Sequence, residues 1–259
     1  MTAGLSGWVA RCAPGNMVDE GSRRYVFGVD PADRFVDLIG TVAAETHLDL
    51  LAALLGASFD RSADVGEVLR ELDELADSVR LAADSRGAVP DFAAVMRFLF
   101  GDGRFTGDVA DYADPRNSFI HEVLRRRVGL PITLSIVAME VGRRVGVPVI
   151  GVGLPGHFFV GERTTDTYAD PFHGGVLLDR GDLELRWKRL TNSPGAISRA
   201  MLLPTPTRSI MLRMLNNLKN TLIQRDDTVK LAVLAKLRSG YPELADERAE
   251  HARWMRHFN

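Results

Sequence analysis

Between residues 35 and 55 apolar side chains recur every three or four positions, at Phe35, Leu38, Ile39, Val42, Leu48, Leu51, Leu54 and Leu55. That spacing gathers one apolar stripe along a helix, and the pattern predicts helix here with a break near Thr46. A second amphipathic stretch occupies 65–81. Val68, Leu69, Leu72, Leu75 and Val79 share one face, while Glu67, Arg70, Glu71, Glu74 and Asp77 make a solvated one. A third, 92–100, stops at the glycine-rich GDGRFTGD, which breaks the helix into a loop. The stretch ahead of Arg34 has no helix or strand period, so 1–33 reads as a flexible tail in which Met17 is an alternative start, and 34–110 as a helical N-terminal lobe.

The period changes in 111–195. Asn117 and Ser118 are good N-cap types ahead of Phe119, Val123 and Leu124, and Arg125, Arg126 and Arg127 fall where a helix C-terminus favours cations. These arginines are expected as a solvated helix end, with Gly129 as the terminator. Pro131 suits the first position of the next helix, where the amide has no partner to lose. Ile132, Leu134, Ile136, Val137, Met139 and Val141 make that helix apolar on most sides, hence buried between layers, until about Gly146. Glu140 stands at helical contact spacing from Arg143 and Arg144, which predicts intrahelical ion pairs.

Beyond that helix, two β-branched runs, 148–153 and 158–160, flank the turn Leu154, Pro155, Gly156 and predict an antiparallel pair. A third strand is expected just before Asp170. The stretch 176–187 is mixed and 194–209, rich in Pro, Ser and Thr, reads as a connection. Within a C-terminal helical region, 196–259, the stretch 210–258 returns to helix, as two segments separated at 225–227. The fold class is therefore α+β: a central helix against a small antiparallel sheet, with helical N- and C-terminal flanks.

Composition removes several function classes. The 259 residues carry a formal net charge of −2 and a pI near 6.3, so the global balance suggests neither a nucleic-acid partner nor a membrane-surface one. The one cysteine, Cys12, permits neither an intrachain disulfide nor a cysteine zinc cluster. The first thirty residues contain no secretory apolar core, and no later run reaches the roughly 20 apolar residues that span a bilayer. A cytoplasmic protein is expected.

The segments PRNSFIHEVLRRRVGLPITLSIVAMEVGRRVGVPVIGVGLPGHFFV and DPFHGG, within 114–175, resemble the core of the SirB-type proteins, a branch of the transglutaminase-like superfamily. More weakly, LRMLNNLKN near the C-terminus resembles the start of a tetratricopeptide-type helix pair. The resemblance implies a papain-like core in which a cysteine at the start of the buried helix is the nucleophile, a histidine the base and acid, and an aspartate its orienter. Matched motif to motif, the histidine is His157 in GHF and the aspartate is Asp170 in DPF. The cysteine position falls at or next to Pro131 in GLPIT, and proline offers no nucleophile.

Thr133 and Ser135 are the hydroxyls on the same helix. Thr133 lies nearer its start, although Ser and Thr in a buried helix usually bond back to the preceding turn. Without a nucleophile, the His157 and Asp170 pair has three readings: a general base acting on water, a site binding a carboxylate or amide, or a hydrogen-bonded pair pinning two strands. His173 joins them as a ligand-binding candidate, in a spacing that matches no metal motif, so neither metal nor cofactor is called for. The expected function is a regulatory module that binds a protein or peptide. The alternative is an amide-bond hydrolase or acyltransferase using His157 and Asp170 with Thr133 or water.

Overall fold

The computed structural model describes residues 29–41, 47–101 and 103–245. The first helix, α1 (Pro31–Ile39), begins where Asp30 accepts a hydrogen bond from the Ala32 amide and Pro31 takes the first helical position. Residues 31–33 are therefore helix and not tail; the Asp-Pro pair was the overlooked start signal. Thr46, the expected break, lies outside the described residues. Then come α2 (Leu48–Phe59), α3 (Val65–Asp84, capped by Asp64) and α4 (Phe92–Met96), which runs on as a π-helical turn, Arg97–Gly101.

Two short strands, β1 (Thr106–Gly107) and β2 (Val128–Gly129), pair in parallel around α5 (Ile120–Arg126). Here three expectations change. Asn117 and Ser118 do not cap α5: Asp114 and Pro115 start a 3-10 turn (Pro115–Ser118) that takes up those positions, leaving Phe119 at the cap. Gly129 does not end α5 either, because Arg127 already adopts the left-handed conformation (φ 60°) that stops it. Nor is the arginine run a solvated end. Arg125 is exposed, but Arg126 reaches inward to Asn117 (3.0 Å), and Arg127 meets Glu71 of α3 (2.8 Å) while lying over the Phe105 ring.

The buried helix is α6 (Pro131–Val145), closed by Gly146 at φ 80°. Leu134, Ile136, Val137 and Val141 on it are wholly buried, each worth roughly 2 kcal/mol of apolar burial. Its C-terminal half carries the predicted ion pairs, Glu140 to Arg143 and to Arg144 at 2.8 Å each. The network extends beyond α6. Asp49 of α2 meets Arg143 at 3.0 Å and Arg144 at 2.7 Å, Asp73 of α3 meets Arg144 at 2.8 Å, and Arg80 donates to the Arg144 carbonyl. Burial and the Asp49 charge push the Glu140 carboxyl up to about 7 against the pull of Arg143 and Arg144.

A four-stranded antiparallel sheet follows in simple order: β3 (Val149–Val152), β4 (Phe159–Glu162), β5 (Tyr168–Asp170) and β6 (Val176–Leu178). Gly151 opposes Val160, and Ala169 lies opposite both Val160 and Leu177. α6 packs on the sheet at β3 and β4. A separate apolar cluster joins Phe159, Tyr168 and Leu178 of the sheet to Leu183 and Trp187 of α7 (Arg180–Thr191) and to Ile197 and Leu202 beyond it.

The last helices, α8 (Thr207–Gln224) and α9 (Thr228–Arg238), form an antiparallel pair whose break matches the expected one at 225–227. They return to the N-terminal lobe. α9 packs on α1, Gly240 abuts Ile39, Arg208 donates to the Ile39 carbonyl (2.8 Å), and Lys236 meets Asp33 at 2.8 Å. Among the described residues no helix is long and apolar enough to cross a membrane.

Candidate functional site

His157 lies two residues before β4, just after the turn at Pro155 and Gly156, and Asp170 ends β5; adjacent antiparallel strands thus bring the two together. His157 Nε2 lies 3.0 Å from Asp170 Oδ1. The DPFHGG segment explains the third member. Asp170 opens a 3-10 turn (Pro171–His173) that folds His173 back over it, so that His173 Nδ1 sits 2.8 Å from Asp170 Oδ2. Gly174 (φ 79°) and Gly175 (φ 64°) then turn the chain into β6, a conformation side-chain-bearing residues avoid, and the Gly175 amide closes the loop on the Asp170 carbonyl at 2.8 Å.

Asp170 is fully buried and His157 nearly so. Burial opposes the charge of Asp170, but hydrogen bonds from His157 and His173 outweigh it and hold the carboxyl far below the usual carboxylate range. An ionised carboxylate only accepts hydrogen bonds. The protons therefore sit on His157 Nε2 and His173 Nδ1, and the nitrogens left over are His157 Nδ1 and His173 Nε2. Neither has a hydrogen-bond partner among the described residues.

Aromatic rings wall the site. Phe159 lies 4.5 Å from the His157 ring centroid, and Phe172 meets His157 edge-on at 6.2 Å and Tyr112 at 5.9 Å. Phe172 is seated by Gly107 of β1, where a Cβ would come within 2.5 Å of the ring. The helical flanks also take part. Arg213 of α8 donates to the carbonyls of Leu154 (3.0 Å) and His157 (3.1 Å), stapling the β3–β4 turn. Arg186 of α7 brings Nη1 to 3.6 Å from Asp170 Oδ2. Sequence reasoning missed both arginines; an Arg at an apolar-periodic position was the faint available signal.

Pro131 is buried as the first residue of α6. Thr133, expected as a hydroxyl nucleophile or ligand-binding group, is not brought to His157. Its Oγ1 accepts from the Leu130 amide (2.9 Å) and donates to the Asn117 carbonyl (2.8 Å), the role of a cap for α6. Ser135 bonds back to the Pro131 carbonyl at 2.7 Å. Asn117 is itself fully buried and accepts from Arg126 while donating to Asp108 (3.0 Å) and the Asp111 carbonyl (2.9 Å). Ligand atoms of His157, Asp170 and His173 lie within 4.8 Å of one another, close enough for a shared ion.

A buried helix packed on an antiparallel sheet whose neighbouring strands join a histidine to an aspartate defines a papain-type α+β protein. The family model described as the transglutaminase-like superfamily matches residues 66–216, more than half of the chain, and the chain belongs to that superfamily. The match takes in α3 and half of α8, which extends the resemblance well past 114–175. A UPF0162 protein of Xylella fastidiosa strain Temecula1 is 40% identical over 139 residues, 52% of this chain and 50% of that protein. A UPF0162 protein of Pseudomonas aeruginosa is 32% identical over 151 residues, 58% of this chain and 56% of that one. Human F-box only protein 21 is 37% identical over 67 residues, 26% of this chain and 11% of that protein. The chain spans about half the length of these bacterial relatives. No solved structure matches.

Proposed function

We propose that this chain is a SirB-type regulatory module of the cytoplasm that binds a protein or peptide at the His157, Asp170 and His173 cleft without cysteine catalysis. The observation that carries the reading is the start of α6. The resemblance puts the nucleophile position at or next to Pro131, the first residue of α6, and the hydroxyls next along the helix, on Thr133 and Ser135, are engaged in capping and back-bonding. The unused nitrogens of His157 and His173 are then free to meet a ligand. The pair α8 and α9, read as tetratricopeptide-like, would add a helical docking surface. Recurrence of a 67-residue stretch within a protein it makes up only 11% of fits a module carried in different contexts.

A second reading has one observation behind it: His157 Nδ1 is unoccupied while Asp170 orients the ring. In an amide-bond hydrolase, that nitrogen would take a proton from water as its oxygen attacks the amide carbon. It would then return the proton to the departing nitrogen as the C–N bond breaks. The purified full chain, assayed on glutamine-containing peptides for amide hydrolysis and for transfer to hydroxylamine, separates the two. The binding reading expects wild type and a folded His157→Ala variant to give the same background. A turnover present in wild type and lost in the folded variant would replace it with the enzyme reading.

A further inference from the structure

Arg186 is the unexplained group of this cleft. Its guanidinium approaches Asp170 only to 3.6 Å and makes no hydrogen bond among the described residues. Its side chain is 30% exposed, beside a His173 side chain that is 34% exposed, over an Asp170 with no exposure at all. A partly open rim of a guanidinium and an imidazole thus stands over a buried carboxylate whose two oxygens already accept from two imidazoles.

Charge decides what such a rim takes. Asp170 supplies one negative charge and Arg186 one positive, so with both imidazoles neutral the four side chains sum to zero, and any proton uptake makes the sum positive. A divalent cation finds the histidine and carboxylate ligands it needs, but also a guanidinium beside the shared carboxylate oxygen, and it would have to displace both imidazole protons. An anion meets the reverse: a guanidinium whose five N–H donors make no hydrogen bond among the described residues and a His173 Nε2 that becomes a donor on protonation. A carboxylate presents two oxygens to such a fork, whereas a carboxamide presents one oxygen and no charge.

We infer that the ligand group of this cleft is a carboxylate on a peptide, seated by Arg186 and His173. The inference rests on the binding reading above and narrows its ligand class. The carboxylate has two sources, an acidic side chain or a chain terminus.

The test is a titration of the full chain at pH 7, following the imidazole signals of His157 and His173 and the guanidinium signal of Arg186 by NMR. The probes are acetyl-Ala-Ala-Glu-Ala-amide, acetyl-Ala-Ala-Ala with a free C-terminal carboxylate, and acetyl-Ala-Ala-Gln-Ala-amide. At least one carboxylate peptide is expected to shift all three signals and to bind about tenfold or more tightly than the glutamine peptide. Whichever of the two binds better names the source. Arg186→Gln should remove that preference, and Arg186→Lys, which keeps the charge without the fork, should keep part of it; circular dichroism checks that each variant is folded. Glutamine and glutamate peptides binding equally, or a folded Arg186→Gln with unchanged preference, overturns the inference and leaves the binding reading standing. If no peptide moves the His157 signal, the binding reading falls and the inference with it.

Discussion

In the C-terminal half of α6, Asp49, Glu140, Arg143 and Arg144 complete one another across helices, whereas around Asp170 two ring nitrogens and a guanidinium are left over. Both clusters are built on buried carboxylates and both combine them with cations. In the first, each buried carboxylate is held by both arginines, and with Asp73 its members come from α2, α3 and α6, so it reads as the joint that fixes the helical lobe to the core. The second exceeds what holding two strands together requires. A structural pair needs His157 and Asp170 only; His173 and Arg186 are additional, and both are partly open to solvent. The lesson is that satisfaction, more than burial or charge, separates a joint from a site.

The largest expected effect tests the joint. Arg144→Ala removes the partner shared by Asp49, Glu140 and Asp73 and leaves the two buried carboxylates with only the half-exposed Arg143 between them. It should cost ~3–5 kcal/mol in denaturant unfolding, while the same measurement on Arg186→Gln should stay within ~1 kcal/mol. A small effect of Arg144→Ala would mean that the joint is not one.

The next effect contrasts the clusters through pH. Glu140 titrates near 7 in the fold against about 4.5 for an ordinary glutamate, so the folded state binds more protons than the unfolded one between those values. Stability should fall as pH rises from about 4.5 to 7, by at most ~3 kcal/mol, and Glu140→Gln should flatten that slope. Asp170 is shifted the other way. Its contribution is present above the ordinary aspartate value and is lost as pH falls through the lower folded one. An acid limb that survives in Asp170→Asn would break the contrast.

The smallest effect sharpens it. Arg213→Met leaves the Leu154 and His157 carbonyls without their donor and should cost ~2 kcal/mol. Amide exchange should accelerate in the β3–β4 turn and leave α2 and α3 unchanged, since the joint does not involve Arg213.

How legible each region was in the sequence follows from the range of its contacts. α6 and the β3–β4 pair were readable because periodicity and turn chemistry act within a few residues. The break between α8 and α9 was readable for the same reason. The meeting of His157 with Asp170 was instead expected from the family resemblance, and the fourth strand, in a stretch of mixed pattern, was not expected. Asn117 was misread as a cap because its type suits one; its amide in fact bonds Asp108, nine residues back. Thr133 has the composition of a nucleophile and the geometry of a cap, which only the position of the Asn117 carbonyl, sixteen residues away, decides. Arg213 acts on His157 across 56 residues and Arg143 on Asp49 across 94, distances at which no local pattern carries a signal. An arginine's partner is chosen by the fold, so its role appears only once the fold is known.

The closure of α9 on α1 has a consequence for how the molecule comes into being. Phe35 and Ile39 are wholly buried, and Ile39 is covered by Gly240 and held through its carbonyl by Arg208. On a ribosome, α1 emerges about 200 residues before the segment that covers it, so it must wait with an apolar face uncovered until α9 has been made. The helical lobe is therefore completed only after the sheet and core that follow it have been made, and premature termination before α9 would leave that face open for other chains to find.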